Sequence, residues 1–133
     1  MKSGYRILVV DDDASVLFTY RLLLQKNGYA VTAVLSSADA KTELEQQQYD
    51  LLLCDLSLEQ GHTGFEVLEH AWSKTGKLPC ILLTGYANAE SAKKADKLGV
   101  KVLYKPIDVS EFLSAIPTVL KENYEQRESS DVH

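Results

Sequence analysis

The sequence predicts a doubly wound α/β fold, in which a five-stranded parallel sheet of order 2-1-3-4-5 is flanked by five helices. Short runs rich in Val, Ile and Leu do not alternate with polar residues, which is typical of parallel strands covered on both faces. Between these runs, apolar residues recur with the period of a helix. The predicted strands cover residues 5–10, 30–35, 50–55, 79–83 and 101–104.

The helices are placed by their apolar stripes and by the residues that begin or end them. Ser36, with an acidic residue three positions later, resembles a capping box and opens the second helix. Gly28, Gly76 and Gly99 are placed to end the first, third and fourth helices. Pro117 falls within the fifth helix and is expected to kink or split it, because proline lacks a backbone N–H.

The bulk composition limits the kind of protein this is. A chain of 133 residues fits one domain, and we assign residues 1–123 to it and 124–133 to a polar, disordered tail. The net charge of -5 argues against direct nucleic-acid binding. No apolar run approaches the roughly 18 residues of a membrane span, and the first residues lack the apolar region of a signal peptide. We therefore expect a cytoplasmic protein that does not bind membranes.

The cysteines fit the same interpretation. Cys54 and Cys80 each lie within an apolar run. We interpret both as buried, reduced thiols rather than as a disulfide or a metal pair. His62, His70 and His133 lack the spacing of metal ligands and are interpreted as solvated.

The polar residues with the strongest indication of function follow the predicted strands. Ligands of an open parallel sheet bind beyond the carboxyl ends of its strands, where the strand order reverses. That point lies between the first and third strands. The residues at the strand ends are Asp11, Asp12 and Asp13, then Asp55, then Thr84 and Gly85, and finally Lys105 and Pro106.

Together these groups are typical of a phosphoryl-transfer site. Oxygen-only ligands favour a hard cation, and Mg²⁺ is the usual one in phosphate chemistry. A hydroxyl and an ammonium could hold phosphoryl oxygens, and a carboxylate can itself be the nucleophile. Each residue alone also has a simpler explanation, such as a helix cap for Asp11 to Asp13 or a turn for Asp55. Their coincidence at four strand ends favours a common site.

Four segments carry a resemblance to a known family. In this order and spacing, "ILVVDDD", "LLLCDLSL", "ILLTGYA" and "VLYKPID" resemble the receiver domain of two-component response regulators, the CheY-like family. The resemblance spans residues 5–120. It implies a phosphoprotein that switches its output surface and does not turn over external substrates.

The resemblance also implies a role for each residue. The Mg²⁺ ligands would be Asp11, Asp12, Asp55 and the backbone carbonyl of Ser57. Asp55 would accept the phosphoryl group from a phosphohistidine on a sensor histidine kinase or a phosphotransfer protein. Thr84 would bind a phosphoryl oxygen, and Lys105 would pair with the new charge of about -1.5 to -2. Their movement would bias the surface of the fourth helix, fifth strand and fifth helix towards an output protein or domain.

Three places depart from the family pattern, one of them Pro117 in the last helix, which is part of the expected output surface. The aromatic residue three positions before the lysine is Val102 here, although Tyr104 faces the same side of the strand. Glu59 and Thr63 occupy positions where proline and glycine are common, and Gly64 comes one position later. These differences predict a longer and more flexible loop after Asp55.

Other functions remain open on the sequence. "VVDDDAS" loosely fits a haloacid-dehalogenase-like phosphatase, with Asp11 as nucleophile and Asp13 as acid/base. That family needs a later acidic pair, and only Asp108 follows Lys105 closely. A binding module of receiver fold that is never phosphorylated is a further alternative. A flavodoxin-like electron carrier would need a Ser/Thr/Gly-rich loop after the first strand, where this chain is acidic.

Overall fold

A computed structural model describes residues 4–85 and 88–131, with side chains described as far as residue 122. The centre of the molecule is a parallel sheet in the order β2-β1-β3-β4-β5, as predicted. The strands are β1 (Arg6–Val10), β2 (Ala30–Val34), β3 (Leu51–Asp55), β4 (Cys80–Thr84) and β5 (Lys101–Tyr104). Every residue of β3 and β4 is buried, which explains their unbroken apolar runs.

Five helices cover the two faces of this sheet. They are α1 (Ala14–Lys26), α2 (Ser37–Gln46), α3 (Gly64–Thr75), α4 (Ala89–Leu98) and α5 (Val109–Asp131). One hydrophobic cluster joins the sheet to α2, α3 and α4, and the other joins it to α1 and α5. In the second cluster the rings of Tyr20 and Phe112 stack with their centroids 5.0 Å apart. Among the described residues, none of the helices combines the length and the apolar character needed to cross a bilayer.

Polar caps begin the helices at the carboxyl edge of the sheet. The Ser36 hydroxyl accepts a hydrogen bond from the Asp39 amide, as the sequence predicts for the start of α2. Thr63 and Glu66 form a complete capping box on α3, and Asn88 caps α4. These caps fix where each connecting loop enters its helix, and therefore fix the walls of the cleft at this edge.

The last helix differs from the sequence prediction. It is continuous through Pro117, so of the two predicted effects of this proline the split is wrong and the kink stays a prediction. Proline removes only one helical hydrogen bond, and Ile116 and Leu120 on either side of it are buried against the sheet. The helical backbone continues to Asp131, through most of the segment 124–133 that the composition predicts to be disordered. The division into a domain and a tail stays a prediction.

The two cysteines agree with their interpretation as internal thiols. Cys54 and Cys80 are both buried and free. Burial raises the pKa of both thiols above the usual range, which keeps them protonated and unreactive.

Candidate functional site

The strand ends bring the predicted acidic, hydroxyl and ammonium groups to one edge of the sheet. Asp11 directly follows β1, Asp55 ends β3, Thr84 ends β4, and Lys105 follows β5. The register places Asp55 beside Leu83, one residue before Thr84. Because all the strands run parallel, their carboxyl ends share this edge, and residues far apart in sequence converge there.

Three carboxylates form the acidic part of the cleft. Oxygens of Asp11, Asp12 and Asp55 all lie within 4.8 Å of one another. Asp11 and Asp55 are 1% and 6% exposed, whereas Asp12 is open to solvent. Burial raises the pKa of Asp11, and the nearby charge of Asp55 raises it further. The hydrogen bond from the Asp13 amide and the positive charge of Lys105 lower it, but the net pKa is raised. An all-oxygen cluster with one solvent-facing member fits a hard divalent cation that retains water ligands.

Lys105 bridges the two buried carboxylates. Its Nζ lies 2.6 Å from Asp55 Oδ2 and 3.2 Å from Asp11 Oδ2. Burial alone would lower the pKa of Lys105, but the hydrogen bonds and charges of Asp55 and Asp11 raise it well above the usual value. The ammonium is therefore a fixed positive charge in the cleft.

Backbone amides hold the other oxygen of each buried carboxylate. The Ser57 amide donates to Asp55 Oδ1 at 3.0 Å, and the Asp13 amide donates to Asp11 Oδ1 at 2.9 Å. Each carboxylate thus has one oxygen on a backbone N–H and the other on Lys105. Both side chains are oriented by the loops that follow their strands.

Asp13 does not join the cluster. Its Oδ1 accepts the amides of Ser15 at 2.9 Å and Val16 at 3.3 Å, so it caps α1. The simpler explanation of the acidic run is correct for this residue. The phosphatase alternative required Asp13 as an acid/base beside Asp11, and this contact commits its carboxylate to the helix instead.

Thr84 lies beside Tyr104, the aromatic residue that stands two positions after the place usual in the family. It is 6% exposed and pairs in register with Tyr104, which is 48% exposed. Val102, Tyr104 and Thr84 line a small cleft between β4, β5 and α4. The prediction that residues 102 and 104 face the same side is therefore confirmed. The bond between Lys105 and Pro106 is cis.

The segment after Asp55 forms a hydrogen-bonded hairpin, and its predicted flexibility stays a prediction. The Leu58 amide donates to the His62 carbonyl, and the Gly64 amide donates to the Leu56 carbonyl, both at 2.9 Å. Ser57 and Thr63 form an antiparallel bridge between these bonds. We call residues 56–64 the β3–α3 hairpin.

The tip of the β3–α3 hairpin has the geometry of a tight turn. Gln60 and Gly61 both have positive φ, 52° and 78°, and the His62 amide donates to the Glu59 carbonyl at 2.9 Å. Positive φ at both central positions is typical of the type I′ turn that closes two-residue hairpins. Gly61 is the signal for this turn in the sequence, because glycine readily adopts positive φ, whereas Gln60 gives no such signal.

A carboxylate at this tip contacts a different helix. The Glu59 carboxylate accepts the Ser37 hydroxyl at 2.7 Å and the Ser37 amide at 3.0 Å. Ser37 is 2% exposed and lies in the first turn of α2. The sequence offers no signal for this contact, because the two residues are 22 positions apart on separate elements.

The histidines are more constrained than predicted. His62 Nδ1 lies 3.0 Å from Glu66 Oε2, and His70 Nε2 lies 3.0 Å from Glu45 Oε1. Both rings are half-buried. The His62 side chain is 41% exposed and agrees with its interpretation as solvated, whereas the His70 side chain is 25% exposed and packs against Glu45, so that interpretation is wrong for His70. His133 lies outside the described residues.

The sequence matches a family profile and is similar to known regulatory proteins. The profile of the response regulator receiver domain matches residues 7–117. The transcriptional regulatory protein ZraR of Escherichia coli K12 is 30% identical over 119 residues, which cover 89% of this chain and 27% of ZraR. The alginate biosynthesis transcriptional regulatory protein AlgB of Pseudomonas putida is 33% identical over 102 residues, which cover 76% of this chain and 22% of AlgB. The chain thus spans about a quarter of the length of these relatives.

Solved structures have the same architecture. A CheY-like response regulator receiver domain protein from Methanospirillum hungatei is 29% identical with a TM-score of 0.86, and the match covers 93% of this chain and 99% of that one. The signal receiver domain of an HD domain-containing protein from Pseudomonas fluorescens is 25% identical with a TM-score of 0.85, covering 96% and 95%. With its acidic cluster at the carboxyl edge of a 2-1-3-4-5 sheet, the chain belongs to the response regulator receiver domain family.

Proposed function

We propose that this domain accepts a phosphoryl group on Asp55 in a Mg²⁺-dependent reaction and thereby switches a signalling output. The observation that supports this most directly is the Lys105 ammonium, which bridges Asp55 and Asp11 next to Asp12. A buried carboxylate held between a fixed cation and a backbone amide is positioned to act as a nucleophile. The phosphoryl donor would be a phosphohistidine on a sensor histidine kinase or a phosphotransfer protein.

Each residue of the cleft has a separate role in the transfer. An Asp55 oxygen attacks the phosphorus and the P–N bond of the phosphohistidine breaks. The electron pair of that bond returns to the nitrogen, and the imidazole leaves as a neutral ring that keeps the proton already on its other nitrogen. Lys105 and the Thr84 hydroxyl then bind oxygens of the transferred group. Asp11, Asp12, Asp55 and the Ser57 carbonyl would hold Mg²⁺, which neutralises charge on the phosphoryl oxygens. The product is an acyl phosphate that hydrolyses again, so the domain is a switch and does not turn over other substrates.

The switch follows from the new charge at Asp55. Phosphorylation adds about -1.5 to -2 charge and further acceptor oxygens, and Lys105 and Thr84 reorient towards them. Thr84 adjoins Tyr104 and the cleft under α4, so its movement reaches the surface formed by α4, β5 and α5. We infer that this surface contacts the output partner. ZraR and AlgB are transcriptional regulatory proteins, which supports a role of the same kind in gene regulation.

Incubation with acetyl phosphate and Mg²⁺ tests the proposal. The wild-type protein should gain one base-labile phosphoryl group in its intact mass, and Asp55→Asn should gain none. Asp13→Asn is the matched control. It removes a carboxylate from the same acidic run, but this carboxylate caps α1 and does not join the cluster. It should be phosphorylated like the wild type. An adduct on Asp55→Asn, or none on the wild type, would overturn the proposal, and the second result would favour the binding module.

A further inference from the structure

The contact between Glu59 and Ser37 joins the β3–α3 hairpin to α2. Three hydrogen bonds make it: the Ser37 hydroxyl donates to Glu59 Oε2 at 2.7 Å, and the Ser37 amide contacts Oε1 at 3.0 Å and Oε2 at 3.2 Å. Charge-assisted bonds of this kind are stronger than neutral ones. The carboxylate also lies at the N-terminus of α2, where the helix dipole favours negative charge.

A continuous series of contacts leads from this junction to Asp55. The Glu59 carbonyl accepts the His62 amide, and the His62 carbonyl accepts the Leu58 amide, which closes the tip of the hairpin. Next along the chain, Ser57 pairs with Thr63. The Ser57 amide then donates to Asp55 Oδ1. A displacement of the tip would therefore reach the residue that orients the Asp55 carboxylate.

We propose that Glu59 is a positioning residue for the cation site: by bonding Ser37 it fixes the β3–α3 hairpin, so that Ser57 stays aligned with Asp55. The proposal deepens the proposed function and rests on it, because Ser57 and Asp55 are both ligands there. The other arm of the hairpin is joined to α3 through the contact of His62 with Glu66. Among the described contacts, the hydrogen-bonded link of the hairpin to α2 is made by Glu59, whereas Gln60 and Gly61 are exposed.

The role is one of alignment because α2 and α3 do not need Glu59 to stay together. Ala40 and Leu44 of α2 pack in the same hydrophobic cluster as Leu68 and Ala71 of α3. Glu45 of α2 makes a second polar link, with His70 and Lys74 of α3. Removing the Glu59 link should therefore loosen the tip of the hairpin while the helices keep their packing.

The test compares Mg²⁺ affinity in wild type, Glu59→Ala and Glu45→Ala by calorimetric titration. Glu45→Ala removes the same charge and also cuts a link between α2 and α3, but far from the cleft. Loss of a group that bonds a metal ligand directly typically lowers affinity by about 10-fold or more. Because Glu59 acts on Ser57 through the hairpin, we expect a smaller loss in Glu59→Ala, between about threefold and 10-fold, and less than a twofold change in Glu45→Ala. In the metal-free proteins, amide exchange at Ser57 and Leu58 should be faster only in Glu59→Ala.

Two further measurements separate alignment from general stability. Ser37→Ala keeps the backbone donor and should lose less affinity, and the Glu59→Ala/Ser37→Ala double variant should be no weaker than Glu59→Ala alone, since the two residues act through one contact. Saturating Mg²⁺ should restore the rate of phosphorylation by acetyl phosphate in Glu59→Ala. Ser37→Ala also serves as the second probe if Glu59→Ala does not fold.

The outcomes distinguish this inference from the function on which it rests. Equal Mg²⁺ affinity in Glu59→Ala and wild type would overturn the inference and leave the proposed function intact. An equal loss in Glu45→Ala would also overturn it, because the effect would then follow from charge or helix packing. A wild-type protein that does not bind Mg²⁺ would overturn both.

Discussion

Replacing Lys105 with methionine is expected to lower the free energy of unfolding by about 2 kcal/mol at neutral pH. The substitution leaves Asp11 and Asp55, which are 1% and 6% exposed, without the ammonium that lies 3.2 and 2.6 Å from their oxygens. Breaking a fully buried pair costs about 3–5 kcal/mol, and the smaller figure applies because Lys105 is partly exposed. Chemical denaturation of both proteins measures the difference.

The deficit should shrink in acid. The pKa of Lys105 is raised in the folded protein, so the ammonium stays protonated from neutral to acid pH, and any change of the deficit in that range comes from the carboxyls that it contacts. In the variant, Asp11 loses the ammonium that lowers its pKa, while burial and the Asp55 charge still raise it. A carboxyl whose folded pKa is raised gives stability as the pH falls through that value. The two unfolding curves should therefore converge as the pH approaches the ordinary aspartate value of 3.8.

Mg²⁺ supplies the second test of the same electrostatic argument. A divalent cation among Asp11, Asp12 and Asp55 would replace the missing positive charge, so saturating Mg²⁺ should stabilise Lys105→Met more than wild type. Lys101→Met is the control, because it removes an exposed lysine at the opposite end of β5. A Lys101→Met protein that loses as much stability, or a Lys105→Met deficit that Mg²⁺ leaves unchanged, would contradict the account.

The fold and the acidic cleft were predictable because they depend on simple patterns. Buried parallel strands require unbroken apolar runs, and each predicted strand agrees with the structure to within one residue at either end. Once the strand order is fixed, the residue after each run must lie at the shared carboxyl edge. The sequence therefore predicts that one site contains Asp11, Asp55, Thr84 and Lys105.

The remainder depended on contacts that local patterns do not encode. The residue pattern of "DDD" does not separate its three aspartates, although the resemblance left Asp13 out of the ligand set. The structure gives the physical reason, because Asp13 caps α1 while Asp11 faces the cleft. Glu59 and Ser37 meet across two elements. Pro117 marks a helix break by propensity, but the burial of Ile116 and Leu120 outweighs that local preference.

Gly64 is a further residue whose close contacts local patterns do not encode. Its replacement should strongly lower the stability of the fold. A Cβ built on Gly64 would lie 2.7 Å from the Asp55 carbonyl oxygen, 3.0 Å from Leu82 Cδ2 and 3.3 Å from Leu56 Cα. Two of these neighbours are backbone, which cannot move aside cheaply. Gly64→Ala should therefore lower the free energy of unfolding by about 2–3 kcal/mol, the upper part of the usual range of about 1–3 kcal/mol for an overpacked core. Denaturant unfolding followed by Trp72 fluorescence measures it.

The substitution should also weaken the cation site, because the nearest clash is with the backbone of Asp55 itself. Gly85→Ala is the matched control, since a Cβ there meets only Lys105 Cβ and Cδ at 3.9 Å, an ordinary contact. It lies at another strand end of the same cleft and should unfold within about 0.5 kcal/mol of wild type. If Gly64→Ala matched Gly85→Ala in stability, the hairpin would have to shift away from β3 easily. The series of contacts from Glu59 to Asp55 would then be too loose to orient the carboxylate.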